Sequence, residues 1–277
     1  MRYRSIFISD VHLGTPDCQA DYLLGFLQAV RVDQIYLVGD IIDLEAMSAR
    51  AFWPASHAGV IGQLLLMASR GTRVVYIPGN HDAALRGLAG QTISGIEVRL
   101  NAEHVGADGR RFRVSHGDEY DSERLGRDWL VWVGEYARQF VCWLNRGFNR
   151  VRRRWGLPYL PLPIVAKSRI EAALNYIQEF EERVSAGAVE GGYDGHICGH
   201  IHFGAIREIN GVTYMNDGDW VEHCTALTED ASGQWSLLHW SGSATELARA
   251  GLDGVTSRLP ARLPLTSLHA AAKRQAA

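Results

Sequence analysis

The feature that most constrains the fold of this chain is a recurrence: short, β-branched apolar runs that each end in a cluster of Gly, Asp, Asn or His. SIFIS (5–9) leads into Asp10-Val11-His12, IYLV (35–38) into Gly39-Asp40, and VVYI (74–77) into Gly79-Asn80-His81-Asp82. Runs this short and this apolar read as buried strands. Between them, Leu23, Phe26, Leu27 and Val30, then Val60, Leu64 and Leu65, keep the steps of amphipathic helices. Strand and helix alternate, which predicts an α/β sheet.

Beyond residue 90 the texture changes. EVRL, then RFRVSH after an Asp108-Gly109 turn, then AIREI and VTYMN flanking Asn210-Gly211, predict antiparallel or mixed sheet that finishes with TALTED and WSLLHW. Residues 122 to 186 interrupt it. Trp129, Trp132, Val133, Tyr136, Phe140, Trp143, Leu144 and Val151 space as one long helix, LPYLPLP breaks it, and Ile170, Leu174, Ile177 and Val184 mark a second. The expected organisation is one domain over residues 1–242, with this stretch as a helical insertion, and an unpatterned tail over 243–277.

Composition narrows the function classes. With 277 residues, 47% of them hydrophobic and 21% charged, the chain is ordinary globular protein. A formal charge of -3 gives no global pull toward nucleic acid, so no stable nucleic-acid partner is expected and any basic patch must be local. Cys18, Cys142, Cys198 and Cys224 are scattered without a CxxC pair and read as reduced thiols of a cytoplasmic protein. No apolar window is long enough to span a bilayer.

Two further runs end in metal-ligand residues: RFRVS in His116-Gly117-Asp118, and HIC in Gly199-His200-Ile201-His202. On extended backbone, residues two apart share a face, so His200 and His202 are expected to point at one spot. Open α/β sheets bind ligands at the carboxyl ends of their strands, which would gather all five clusters on one rim. Asp10, His12, Asp40, Asn80, His116, His200 and His202 form a mixed N/O donor set without thiolate, suited to Mn, with Fe, Zn or Mg as alternatives. Seven donors are too many for one ion and suit two divalent ions sharing a carboxylate, with Asp40 as the candidate bridge. Two ions about 3.5 to 4 Å apart clamp a displacement at phosphorus. Asp43 and Asp118 are either orienters of ligands or turn-forming carboxylates. Asp217 and Asp219 in NDGDW read as a tight turn supporting the site, and His57, His104, His196, His223, His239 and His269 as structural or surface residues.

The ordered series DVH, GDIID, GNHD, HGD and GHIH resembles the calcineurin-like metallophosphoesterases. The resemblance implies a four-layer α/β/β/α sandwich of two mixed sheets with a helical cap. It also implies that Asp10, His12, Asp40 and His202 hold one ion and that Asp40, Asn80, His116 and His200 hold the other. His81 would then stabilise the transition state or protonate the leaving group, with Asp82 orienting it.

More narrowly, SDVHLGT, YLVGDIID, YIPGNHD, SHGDEYD, CGHIH and NDGDW, with an insertion after HGDEYD, resemble the UDP-2,3-diacylglucosamine diphosphatases of lipid A synthesis. That resemblance implies hydrolysis of a lipid-linked nucleotide sugar at its pyrophosphate, by in-line attack of a metal-bridging hydroxide, at the cytoplasmic face of the inner membrane. The best-established branch carries Arg where this chain has His81, which points to a sister branch. The insertion holds Trp129, Trp132, Trp143 and Trp155 with Arg138, Arg146, Arg150 and Arg152 to Arg154. These fit a lid touching lipid, or aromatics packed on the domain beneath a solvated basic face. Lys167 and Arg169 are candidate contacts for a substrate phosphate. Other phosphodiesters, phosphomonoesters and nucleic-acid bonds stay open as substrates, as does a non-catalytic binding module.

Overall fold

The computed structural model describes residues 1–121, 154–155, 171–251 and 254–257. The first expected cap helix, Lys167, Arg169 and most of the tail fall outside these residues. The apolar runs form β1 (Arg2–Ile8), β2 (Arg31–Val38) and β3 (Arg73–Ile77), joined through α1 (Ala20–Ala29), then α2 (Leu44–Ala49) and α3 (Ala55–Ser69). The three strands pair in parallel, β1 with β2 and β2 with β3, as helical crossovers require. β4 (Thr92–Ile93) and β5 (Ile96–Val98) close one edge. On the other side of β1, β11 (Thr225–Glu229), β12 (Trp235–Trp240), β13 (Ala244–Gly251) and β14 (Gly254–Ser257) continue the sheet antiparallel.

A second, five-stranded sheet takes the order β6 (Ala102–Val105), β7 (Arg111–Val114), β8 (Gly195–Cys198), β10 (Val212–Asn216), β9 (Ala205–Ile209). It too is mixed: β7 pairs parallel with β8 and β8 with β10, while β6–β7 and β9–β10 are antiparallel. The hairpin between β9 and β10 turns on Asn210 and Gly211, both at positive φ (54° and 79°), the backbone that a two-residue loop needs.

Side-chain alternation separates the layers. Ile6 and Ile8, Ile35 and Leu37, and Val74 and Tyr76 face outward onto Leu23, Phe26 and Leu27 of α1 and Val60, Leu64 and Met67 of α3. The intervening Phe7, Tyr36, Val38, Val75 and Ile77 face inward and meet Phe112, Val114, Ile197 and Met215 of the second sheet. α4 (Glu171–Glu190) covers that sheet's outer face through Ile177, Phe180 and Val184. Both faces of both sheets are therefore buried over these strands, which is why the runs are almost uniformly apolar. The chain is an α/β/β/α sandwich of two mixed sheets.

The chain beyond residue 243 departs from the expected tail. β13 pairs with β12 over six positions, and its Ala248 and Ala250 are buried in the core between the sheets. Small residues at alternate positions carry no apolar run, so the pattern was invisible in sequence. Ending the chain at residue 243 is expected to lower the unfolding free energy by at least about 2 kcal/mol, from lost ladder bonds and buried methyl groups. An unchanged urea midpoint would show that these strands add nothing.

Candidate metal centre

Five strand ends, those of β1, β2, β3, β7 and β8, bring the predicted clusters to one rim, but the local backbone is not extended. Asp10, His12, Asp40, His200 and His202 all take positive φ, between 50° and 71°. The left-handed region is uncommon for residues other than glycine, and such strain concentrates at functional sites. It also sends the paired histidines apart. His202 Nε2 lies 3.1 Å from Asp10 Oδ1, whereas His200 Nε2 faces Asp121 Oδ2 at 3.1 Å and its ring stands against that of His116. The expectation that both imidazoles share one spot is thus corrected: the two rings face different neighbours.

The first half gathers Asp10, His12 and His202, whose donor atoms lie within 4.8 Å of one another. Asp10 Oδ2 is occupied by the Ser9 hydroxyl and by the His200 N–H (2.8 Å), which leaves Oδ1 for another ligand. His12 Nδ1 meets Asp43 Oδ2 at 3.0 Å, which turns its Nε2 into the site. His12 Nε2 is buried without a hydrogen-bond partner, and the polar neighbour of Asp10 Oδ1 is His202 Nε2. The second half gathers Asp10, Asp40 and His116. His116 Nδ1 meets the Val38 carbonyl at 2.9 Å, and its Nε2 faces Asn80 Oδ1 at 3.2 Å and Asp40 Oδ2 at 3.4 Å. Asp40 Oδ2 is also 4.0 Å from His12 Nε2, so this one oxygen looks toward both halves.

A nitrogen lone pair facing oxygens on several sides has two remedies, a proton or a metal cation. Without a metal the protein calls up the proton. Burial pushes His116 down, but its bond to Asp40 and the charges of Asp10 and Asp40 override this and raise it to about 10. Burial likewise pushes Asp10 up, yet His202, His116 and His12 hold it below the usual carboxylate range. The donors, their burial and their unmet lone pairs fit divalent cations.

Supporting residues lock the donors. Asp43 caps α2 through Oδ1, accepting from the Ala46 N–H at 2.7 Å, and turns Oδ2 to His12 and to His81 Nδ1 at 3.1 Å. Both readings of Asp43, helix turn and orienter, therefore hold at once. Asp82 does not orient His81: it binds the Gly79 N–H (2.6 Å), the Ile41 N–H (3.0 Å) and the Tyr76 hydroxyl, tying the β2 and β3 loops together. Asp118 pairs with Arg86 at 2.7 Å. Asp219 accepts three backbone N–H groups, from Val221, Glu222 and His223, grips the His223 ring and lies 3.9 Å from His202 Nδ1. The turn-and-support reading of Asp219 in NDGDW agrees with these contacts, whereas Ser9 and Asp121 escaped the sequence reading, although Asp121 closes the quoted HGDEYD motif.

These elements define a metal-dependent phosphoesterase, and the chain belongs to the calcineurin-like phosphoesterase family, whose model matches residues 3–204. A curated relative, the UDP-2,3-diacylglucosamine hydrolase of Porphyromonas gingivalis, is 29% identical, with 80% of this chain and 92% of the relative covered. Among solved structures, the phosphoesterase Yfce of E. coli matches at 14% identity and TM-score 0.46, covering 89% of this chain and 97% of its own. The Vacuolar Protein Sorting 29 of Cryptosporidium parvum matches at 12% identity and TM-score 0.44, covering 91% and 97%.

A Cβ at Gly199 would collide with the Ser9 hydroxyl and Asp10 Oδ2. Gly199→Ala is expected to weaken divalent-metal binding by at least about 10-fold, the scale of disturbing a ligand's supporting contacts; calorimetric titration with Mn at wild-type affinity would refute it. Contact with Asp43 outweighs burial and raises His81 to about 9. A raised histidine stabilises the fold fully below its unfolded value near 6.5 and loses that contribution as pH climbs through about 9. NMR titration of the metal-free chain should place His81 there, and Asp43→Asn should bring it back toward its ordinary range.

Proposed function

We propose that this phosphoesterase hydrolyses the pyrophosphate of UDP-2,3-diacylglucosamine, or of a closely related lipid-linked nucleotide sugar, in lipid A synthesis. The observation that carries a two-cation hydrolase is the position of Asp40 Oδ2, 3.4 Å from His116 Nε2 and 4.0 Å from His12 Nε2. The substrate class is supported by the motif series and by the Porphyromonas gingivalis relative. In this reading Asp10, His12, Asp40 and His202 would hold one ion, and Asp40, Asn80, His116 and His200 would hold the second, with Asp121 fixing the His200 ring. Manganese is the preferred ion. A pair of divalent ions supplies Lewis acidity and lowers the pKa of water toward neutrality.

The chain's own residues do the remaining work. His81 is half-buried on the rim, and Asp43 beside its Nδ1 raises its pKa and favours the protonated ring. It offers its Nε2 proton to charge that develops on the phosphoryl oxygen or the departing phosphate, a contribution that grows in the transition state. Asp43 keeps that proton in place by fixing the ring through the opposite nitrogen. The acidic rim needs the cations before it can accept an anionic substrate, because Asp10, Asp40 and Asp43 would otherwise repel it. Lys167 and Arg169 are assigned to a substrate phosphate, and the enzyme to the cytoplasmic face of the inner membrane. Among the described residues no helix is long and apolar enough to cross a membrane.

The deciding experiment incubates the Mn-loaded chain with UDP-2,3-diacylglucosamine, UDP-glucosamine, a cyclic nucleotide and single-stranded DNA, and scores products by mass. UMP with an acylated sugar phosphate is expected. Asp40→Ala should lower turnover by at least about 10²-fold. Turnover of the DNA or cyclic nucleotide alone would overturn the substrate assignment.

A further inference from the structure

α3 is a surface helix with no charged side chain in its fifteen residues, ASHAGVIGQLLLMAS. Val60, Leu64 and Met67 face the core, while Ala55, Ala58, Gly62, Leu65 and Leu66 face out. Leu65 and Leu66 are 36% and 39% exposed, and Phe52 and Trp53, just before the helix, are 38% and 41% exposed. An ordinary surface helix carries polar residues opposite its apolar stripe; this one carries a second apolar stripe. At 1.5 Å per residue it runs for about 22 Å.

The two ends of this face differ. At the first, the rings of Phe52 and Trp53 stand 5.6 Å from that of His57, whose Nδ1 accepts the Gly14 N–H at 3.0 Å. Gly14 lies two residues past His12, so the aromatic end abuts the rim of the metal centre. At the second, α3 borders a cavity of about 680 Å³ whose lining includes Arg2, Arg31, Arg70, Gln63 and Met67. Asp33 is the single acid lining it, and it faces Arg2 at 3.8 Å.

We propose that α3 lies flat on an anionic phospholipid bilayer, with Phe52, Trp53, Leu65 and Leu66 in the interfacial layer and Arg31 and Arg70 at lipid phosphates. Tryptophan and phenylalanine at one end, leucines along the stripe and arginines at the other end are the side chains that favour a headgroup boundary. The arginines select the bilayer over a second copy of the chain. A self-paired α3 has no acidic residue to offer a partner's Arg70, whereas anionic headgroups supply that charge. Bound this way, the metal rim sits beside the bilayer at Trp53. The inference deepens the proposed function, on whose lipid-linked substrate its biological sense rests, and its test uses none of that substrate.

The full chain is to be sedimented with vesicles of phosphatidylglycerol and phosphatidylethanolamine, and with vesicles of phosphatidylcholine alone. Wild type should pellet with the first and far less with the second, and salt should release it. Replacing both arginines, Arg31→Gln with Arg70→Gln, should lower partitioning roughly 30-fold. Leu65→Gln with Leu66→Gln should lower it at least about 10-fold. All four side chains are exposed, so melting temperatures should stay near wild type, and the two independent pairs guard against one misfolded variant. Equal pelleting of wild type and both variants, or wild type that ignores anionic vesicles, would overturn the proposal. So would a wild-type dimer that the leucine pair converts to monomer, since a second copy would then cover the face. Failure of vesicle binding leaves the substrate reading intact, and intact binding without sugar-nucleotide hydrolysis strikes the substrate alone.

Discussion

The arrangement on which this protein depends is a dry rim crowded with carboxylates. Asp10, Asp40, Asp43, Asp217 and Asp219 are buried together with His12 and His116 at the ends of the central strands. Like charges so close, out of water, cannot all ionise unless positive charge is brought among them. Histidine protons perform that service in the metal-free chain, and divalent cations would perform it with more charge. The same field that makes the rim unfavourable when empty is what gives it affinity for metal.

Holding the rim in that state requires backbone strain and a scaffold able to bear it. Five donors sit in left-handed backbone, each immediately beyond or near a strand of the sandwich. Parallel strands anchored by α1 and α3 on one side, and packed sheet on sheet on the other, leave the loops no room to relax. Asp82 then ties the β2 and β3 loops to each other, and Gly199 lets the β8 loop lie directly against Ser9 and Asp10. The strain, the close approach and the shared hydrogen bonds are one device: they fix lone pairs in space before any cation arrives.

How far the sequence alone could be read follows from the range of each interaction. The apolar runs, the helical steps of α1 and α3 and the Asn210-Gly211 hairpin are local, so they are visible in the letters. The seven candidate donors could be named from the letters because each cluster follows the end of an apolar run, four of the five with a glycine beside them. Asp121 could not, because what it does depends on His200 arriving from another segment, and the approach of Asp219 to His202 was hidden for the same reason. Asp82 was assigned to its neighbour His81, and the fold gave His81 to Asp43 instead. β13 was read as tail because its buried residues, Ala248 and Ala250, are small and need a neighbouring strand to define their faces.

By itself the sequence determined the alternating α/β plan, the kind of chemistry and a set of candidate donors, since those reside in residue type and short-range spacing. Only the tertiary structure turned His202 to Asp10 and His200 to Asp121. It alone set Asp43 between His12 and His81, and left the uncharged flank of α3 facing solvent. Direction is a property of folded backbone: φ at a single residue swings a side chain from one half of the site to the other, and nothing in the order of letters records that angle.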